Sequence, residues 1–320
     1  MPYVALDRRF ALLPPGKVEC GPDWSREAGR LFSWADLLQQ SWPRLTVILG
    51  PGDSGKTTEM REQACRLRAT GQTAVFAALK DLVGQPFERA LTGDEAAAFR
   101  AWDPAYGEAV FLLDAVNEAN LTHALPQALR TFAAAVVRPM GRVRVLLSCR
   151  PSDWLNQTHD DVVEALSDLF PAPLASSTQA FRGFVAYPYV PWPESTLTVT
   201  TVCLMPLDEN GIRCMAAAEL GPPDSNKFVA DLTVAGCLHL VGRPRDVRTL
   251  ARQWRSKHQL GLLTELLDWN FEAKLREDRQ PYRSLNPHSA DKARQGAERL
   301  AGATALCRQP FLRLCCKLLL

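Results

Sequence analysis

Residues 50–57 read Gly-Pro-Gly-Asp-Ser-Gly-Lys-Thr, which matches the spacing G-x-x-x-x-G-K-[ST]. These residue types suit the grip of a polyphosphate. Gly50, Gly52 and Gly55 allow backbone conformations in which successive N–H groups point into one concavity, and a helix that starts here adds the positive end of its dipole. The pattern places Gly50, Pro51, Gly52, Asp53, Ser54, Gly55, Lys56, Thr57 and Thr58 around the phosphates, with the Lys56 amine on the β- and γ-phosphates and the Thr57 hydroxyl on Mg²⁺. The context agrees: an apolar run, 45–49, comes before the loop, and Met60, Ala64 and Leu67 follow at helical spacing until Gly71.

Two further runs end in groups that belong with such a loop. Residues 109–113 are apolar and deliver Asp114, followed by Ala115, Asn117 and Glu118. An acid at the carboxyl end of a buried strand holds Mg²⁺ directly or through water, and Glu118 is placed to polarise an attacking water. The alternative for Asp114 is a turn cap. Residues 143–148 deliver Cys149 and Arg150, whose charge would meet the charge that develops on a γ-phosphate; the alternative is a surface ion pair.

The elements that must carry these groups follow from periodicity. Short apolar runs at 45–49, 74–79, 109–113, 143–148 and 196–204 read as buried, mostly parallel strands, and helical spacing fills 86–102 and 121–136. Trp24, Leu31, Phe32, Trp34, Leu37 and Leu38 suggest a short amphipathic helix packed beside the first strand. The proline- and aromatic-rich stretch 161–196 reads as extended edge segments or loop. From Pro206 the pattern is helical: one helix capped by Asp208, a second capped near Asp224 or Ser225, a third over 246–257, and others at 262–276 and 289–306. The apolar tail that ends at Leu320 needs a partner surface, so the chain is expected to be the front part of something longer.

With 37 basic against 35 acidic residues and a net charge of +2, nothing global attracts nucleic acid or an anionic membrane. No apolar run approaches the ~18 residues that span a bilayer, and MPYVALDRRF lacks a signal core, so a soluble cytoplasmic protein is expected. Nine cysteines include no C-x-x-C pair and no zinc spacing; most are expected to be buried reduced thiols, with Cys315 and Cys316 as the oxidation-sensitive pair.

GPGDSGKT, FLLDAVNEA, LLSCRP and Gly242-x-Pro244, in this order, resemble the motifs of NACHT-type and related STAND P-loop NTPases over about residues 45–277. The resemblance implies an α/β fold, a three-layer P-loop NTPase sandwich with a mostly parallel five-stranded sheet followed by an all-helical lid. It divides the chain into 1–44 packing on the core, 45–205 as the NTPase domain and 206–320 as a helical lid or winged-helix-like region. It implies ATP/ADP and Mg²⁺ as ligands, Asp114 as the leading aspartate followed by the small Ala115, Glu118 as the matching member of an acidic pair, Arg150 in the sensor position and Pro244 against the adenine. Asn117 stands where the family usually has aspartate, which removes one charge near Mg²⁺ and bears on hydrolysis more than on binding. No N-K-x-D guanine signature appears, which favours adenine. The implied activity is a nucleotide-dependent signalling switch with slow ATP hydrolysis that self-associates or engages a protein partner. A nucleotide-binding scaffold without hydrolysis is the rival, and a phosphotransferase a third. The effector domain and sensor repeats of such switches are not visible, since no period of 20–50 residues occurs.

Overall fold

The computed structural model describes residues 3–14, 30–39, 42–102, 108–114, 124–136, 143–154, 156–166, 199–260, 295–296 and 298–299. One compact unit, Met1–His258, holds every element named below; a second spans Gln259–Leu320.

The fold is α/β. Numbered in chain order, its strands are β1 (Phe10–Leu12), β2 (Leu31–Phe32), β3 (Leu45–Leu49), β4 (Thr73–Ala78), β5 (Ala109–Asp114), β6 (Val143–Cys149) and β7 (Thr200–Leu204). They form one seven-stranded sheet in the order β2-β1-β7-β3-β6-β5-β4. The five strands expected from the apolar runs are mutually parallel. The two additional strands are antiparallel: β1 pairs with β7 and β2 with β1. At three and two residues they are too short to show an alternating pattern. Leu31 and Phe32 therefore belong to a strand, and the expected amphipathic helix shrinks to α1 (Trp34–Leu37), capped by Ser33.

The parallel strands are mostly apolar because both faces of the sheet are covered. Val47, Leu49, Phe111, Leu113, Val145 and Leu147 face one core, packed under α3 (Phe87–Ala90), α4 (Gly93–Ala101), α5 (Leu125–Val136) and α6 (Asn156–Leu166). Phe87 meets Phe99 and Phe132 edge to face at 5.0 and 5.4 Å, contacts each contributing about 0.5–1.5 kcal/mol beyond burial. The intervening residues Ile48, Phe76, Leu112 and Leu146 face a second core with Met60, Ala64 and Leu67 of α2 (Lys56–Ala69). Helix α6 occupies the start of the stretch expected to be irregular; its opening turns are polar, which hid the apolar face made by Val162, Ala165 and Leu166.

After β7 come α7 (Glu209–Leu220), α8 (Pro222–Val234) and α9 (Pro244–Lys257), which brings the α-helices to nine among the described residues. Asp208 caps α7, its side chain accepting from Gly211 N at 2.7 Å, as expected. The cap of α8 is not Asp224 or Ser225: the helix opens earlier, at Gly221, because two prolines fill its first positions without needing to donate. Leu207 N–H donates to Gly242 O at 2.8 Å, and a Cβ on Gly242 would lie 3.1 Å from Pro206 Cβ, so only glycine lets these segments meet so closely.

Among the described residues, no helix is long and apolar enough to cross a membrane. Cys65, Cys149, Cys214 and Cys237 are free thiols, whereas Cys203 is disulfide-bonded. Trp24, the segment 171–196, the expected helix 262–276, nearly all of 289–306, and Cys315 and Cys316 lie outside the described residues.

Candidate functional site

A parallel sheet brings the carboxyl ends of its strands to one rim, where ligands of such sheets sit. Register fixes which residues meet there. Leu49, the last residue of β3, pairs with Cys149 on one side and Cys203 on the other. Leu113 of β5 pairs with Leu147 of β6, so Asp114 and Ser148 follow side by side. Above this rim lies a cleft of ≈ 710 Å³. It is lined by residues 52–59, Asp114, Ser148, Arg150, Arg245 and Arg248, together with Tyr3, Val4, Leu6, Met215 and Pro244.

The loop 50–57 turns through two left-handed residues, Asp53 (φ 60°) and Gly55 (φ 91°), and α2 begins directly at Lys56. The Lys56 amine donates to Gly50 O at 2.6 Å and Pro51 O at 3.0 Å, two carbonyls of the loop itself. Burial pushes its pKa down to about 8, against the attraction of Asp114 and with help from the like charge of Arg150. A phosphate would replace those carbonyls and restore the charge.

Thr57 Oγ1 donates to Asp114 Oδ2 at 2.6 Å, and Ser148 Oγ donates to Asp114 Oδ1. Asp114 thus accepts on both oxygens and is buried at 4% exposure, an arrangement different from a simple turn cap. A hydroxyl and a carboxylate in contact suit a hard cation such as Mg²⁺, which keeps several waters and takes phosphate oxygens for its remaining positions. Among the described residues no cluster of three or more His, Cys, Asp or Glu could hold a metal unaided.

Arg150 leans over the loop: a Cβ on Gly52 would lie 3.7 Å from its Cζ. Arg150 lines the cleft beside Gly52. Its neighbour Cys149 is fully buried, which pushes the thiol up to about 12 and leaves it inert. Pro244, the first residue of α9, touches the loop, since a Cβ on Gly55 would come within 3.3 Å of Pro244 Cγ. Pro51 is exposed and Ser54 buried; Thr58 lines the cleft from the first turn of α2. Asn117 and Glu118 lie outside the described residues.

Several cleft residues are invisible to motif reading. Ser148 reaches Asp114 only because β6 lies between β3 and β5. Helical spacing offers a signal for Arg248, one turn beyond Pro244 on α9. Tyr3, Val4, Leu6 and Met215 carry no local signal.

No family model matches the sequence, and no curated protein matches it. Among solved structures, domain III of the Thermotoga maritima replication initiation protein DnaA is similar at a TM-score of 0.35 and 12% identity, over 70% of this chain and 82% of that one.

Proposed function

We propose that the chain binds ATP or ADP with Mg²⁺ and works as a nucleotide-dependent switch of the NACHT or STAND kind, with slow hydrolysis and with self-association or a protein partner as its output. The observation that carries this reading is the meeting of Lys56, Thr57 and Asp114 in one cleft that is bordered by Pro244 of the helical part. In this reading residues 45–205 form the nucleotide-binding domain and residues from 206 onward the lid.

The loop 50–57 and the charged residues around it take the phosphates. Lys56 and the loop amides hold the β- and γ-phosphoryl oxygens, and Arg150 adds charge beside the loop crest. Thr57 and Asp114 hold the metal ion, which when bound neutralises phosphoryl charge. The apolar surface of Tyr3, Val4, Leu6, Met215 and Pro244 takes the base. Glu118 orients the attacking water, a role assigned from its place in the sequence. Asn117 favours a second reading, a scaffold that keeps its nucleotide without cleaving it.

Nucleotide binding and phosphate release by the wild type, Lys56→Ala and Glu118→Gln separate these readings. The switch requires that Lys56→Ala lose binding and that Glu118→Gln bind ATP but stall. Equal background release from the wild type and Glu118→Gln, with binding intact, selects the scaffold. Undiminished affinity in Lys56→Ala would sink the site assignment.

A further inference from the structure

Residues 3–8 run past the mouth of the cleft and end in a buried cation. Arg8 is 3% exposed, and its Nη2 donates to two backbone carbonyls, Ser54 O and Met205 O, each at 3.2 Å. Ser54 belongs to the phosphate loop. Met205 is the first residue after β7, where the chain leaves the sheet for α7. The same short connection is held twice more: Met205 N–H donates to Arg9 O at 2.9 Å, and Leu207 N–H to Gly242 O at 2.8 Å, just ahead of α9.

Stability alone does not explain a charge in this place. Burial lowers the Arg8 pKa, and an apolar side chain of similar volume would fill the space without losing hydration. The opposite charge that most favours the cation is Glu59, itself 3% exposed and accepting from the Tyr3 hydroxyl at 3.1 Å. Among the described residues Arg8 Nη1 has no hydrogen-bond partner, so the packing there satisfies one terminal nitrogen and leaves the other wanting. What the guanidinium supplies is geometry. Its two Nη2 hydrogens are fixed in one plane, so a displacement of the Ser54 carbonyl strains the bond to Met205 or carries it along.

We infer that Arg8 is a positioning residue that sets the Ser54 carbonyl and couples the state of the phosphate loop to the connection carrying the helices α7–α9. This rests on the reading of residues 50–57 as a nucleotide site. A polyphosphate that draws the loop amides inward moves Ser54, and the shared nitrogen transmits that movement to Met205. Lysine would keep the charge but has no rigid fork, so it separates geometry from electrostatics.

Hydrogen exchange on the full chain, with and without ADP and Mg²⁺, tests this in the wild type, Arg8→Lys and the double variant Arg8→Met/Glu59→Gln, which removes both buried charges. In the wild type ADP should slow exchange at 50–57 and 205–207 together. In both variants ADP should protect 50–57 alone and bind about tenfold more weakly, the scale of one lost charge-assisted bond. Without ligand, both variants should speed exchange at 50–57 and 205–207 but leave 109–114 unchanged. Wild-type affinity together with joint protection in Arg8→Lys overturns the inference. So does faster exchange spread evenly over the strands with a lowered Tm, the mark of a merely structural role. If the wild type binds no ADP, the nucleotide reading fails, and the ligand-free comparison decides the Arg8 tie on its own.

Discussion

Arg245 Nη1 lies 2.8 Å from Asp53 Oδ1, so the first turn of α9 is joined by an ion pair to the loop 50–57. Both side chains are 39% exposed, which limits the pair to about 0–1 kcal/mol. That is too little to hold the fold together, yet it ties α9 to a loop 192 residues away in the chain.

Asp53→Asn removes the charge but keeps a residue that tolerates the left-handed φ of 60°. The variant should release ADP about two- to fivefold faster, the size of one screened ion pair, with Tm nearly unchanged. Added salt should speed release from the wild type and have less effect on the variant. Stopped-flow displacement of a fluorescent ADP reads both, and identical release rates in the two proteins would remove the latch.

Gly55→Ala tests the other approach between the loop and α9. The position has φ 91°, and the added Cβ would meet Pro244 Cγ at 3.3 Å. Gly71→Ala is the control, since its φ of 80° carries a similar backbone penalty and nothing lies within 4 Å. Both variants should lose about 1–2 kcal/mol of stability from a non-glycine left-handed residue. Only Gly55→Ala should also weaken nucleotide binding, by tenfold or more if the lid is displaced. Comparable affinity losses in both variants would show that backbone strain, and not the Pro244 contact, sets binding.

What was readable before the fold was known follows the range of the interactions. Lys56, Thr57 and the five parallel strands announce themselves locally, through a fixed spacing and continuous apolar runs. Asp114 was readable because a buried strand ending in an acid is a local pattern. Ser148 was not, because its bond to Asp114 depends on β6 lying between β3 and β5. Arg8 and Arg245 act across 46 and 192 residues of chain, and nothing in MPYVALDRRF distinguishes Arg8 from Arg9. The short β1 owes its pairing to β7, and β2 its pairing to β1, not to their own composition.

Lys56 gives binding and stability opposite dependences on pH. Its pKa in the folded chain is pushed from 10.5 down to about 8, chiefly by burial. Below pH 8 the amine is charged and ready for a phosphate. Above it the free protein must take up a proton to bind, so ADP affinity should fall by up to tenfold per pH unit until the raised pKa of the complex is reached. For stability the sign reverses: between about 8 and 10.5 the unfolded chain holds the proton that the folded chain has lost, so this group's contribution rises with pH. Tyr3 in the cleft and Cys149 beside it are both pushed up to about 12, Tyr3 from 10.0 by burial and by Glu59 and Cys149 from 9.0 mainly by burial, so the folded chain keeps these protons while the unfolded chain loses them, and their contribution to stability falls with pH against that of Lys56. Titrations of ADP at pH 7, 8 and 9 beside denaturant melts at the same pH values separate the two slopes. Lys56→Met should lose most of its affinity and flatten the stability slope from this group. If wild-type affinity stayed constant from pH 7 to 9, Lys56 would not be the group that meets the phosphates.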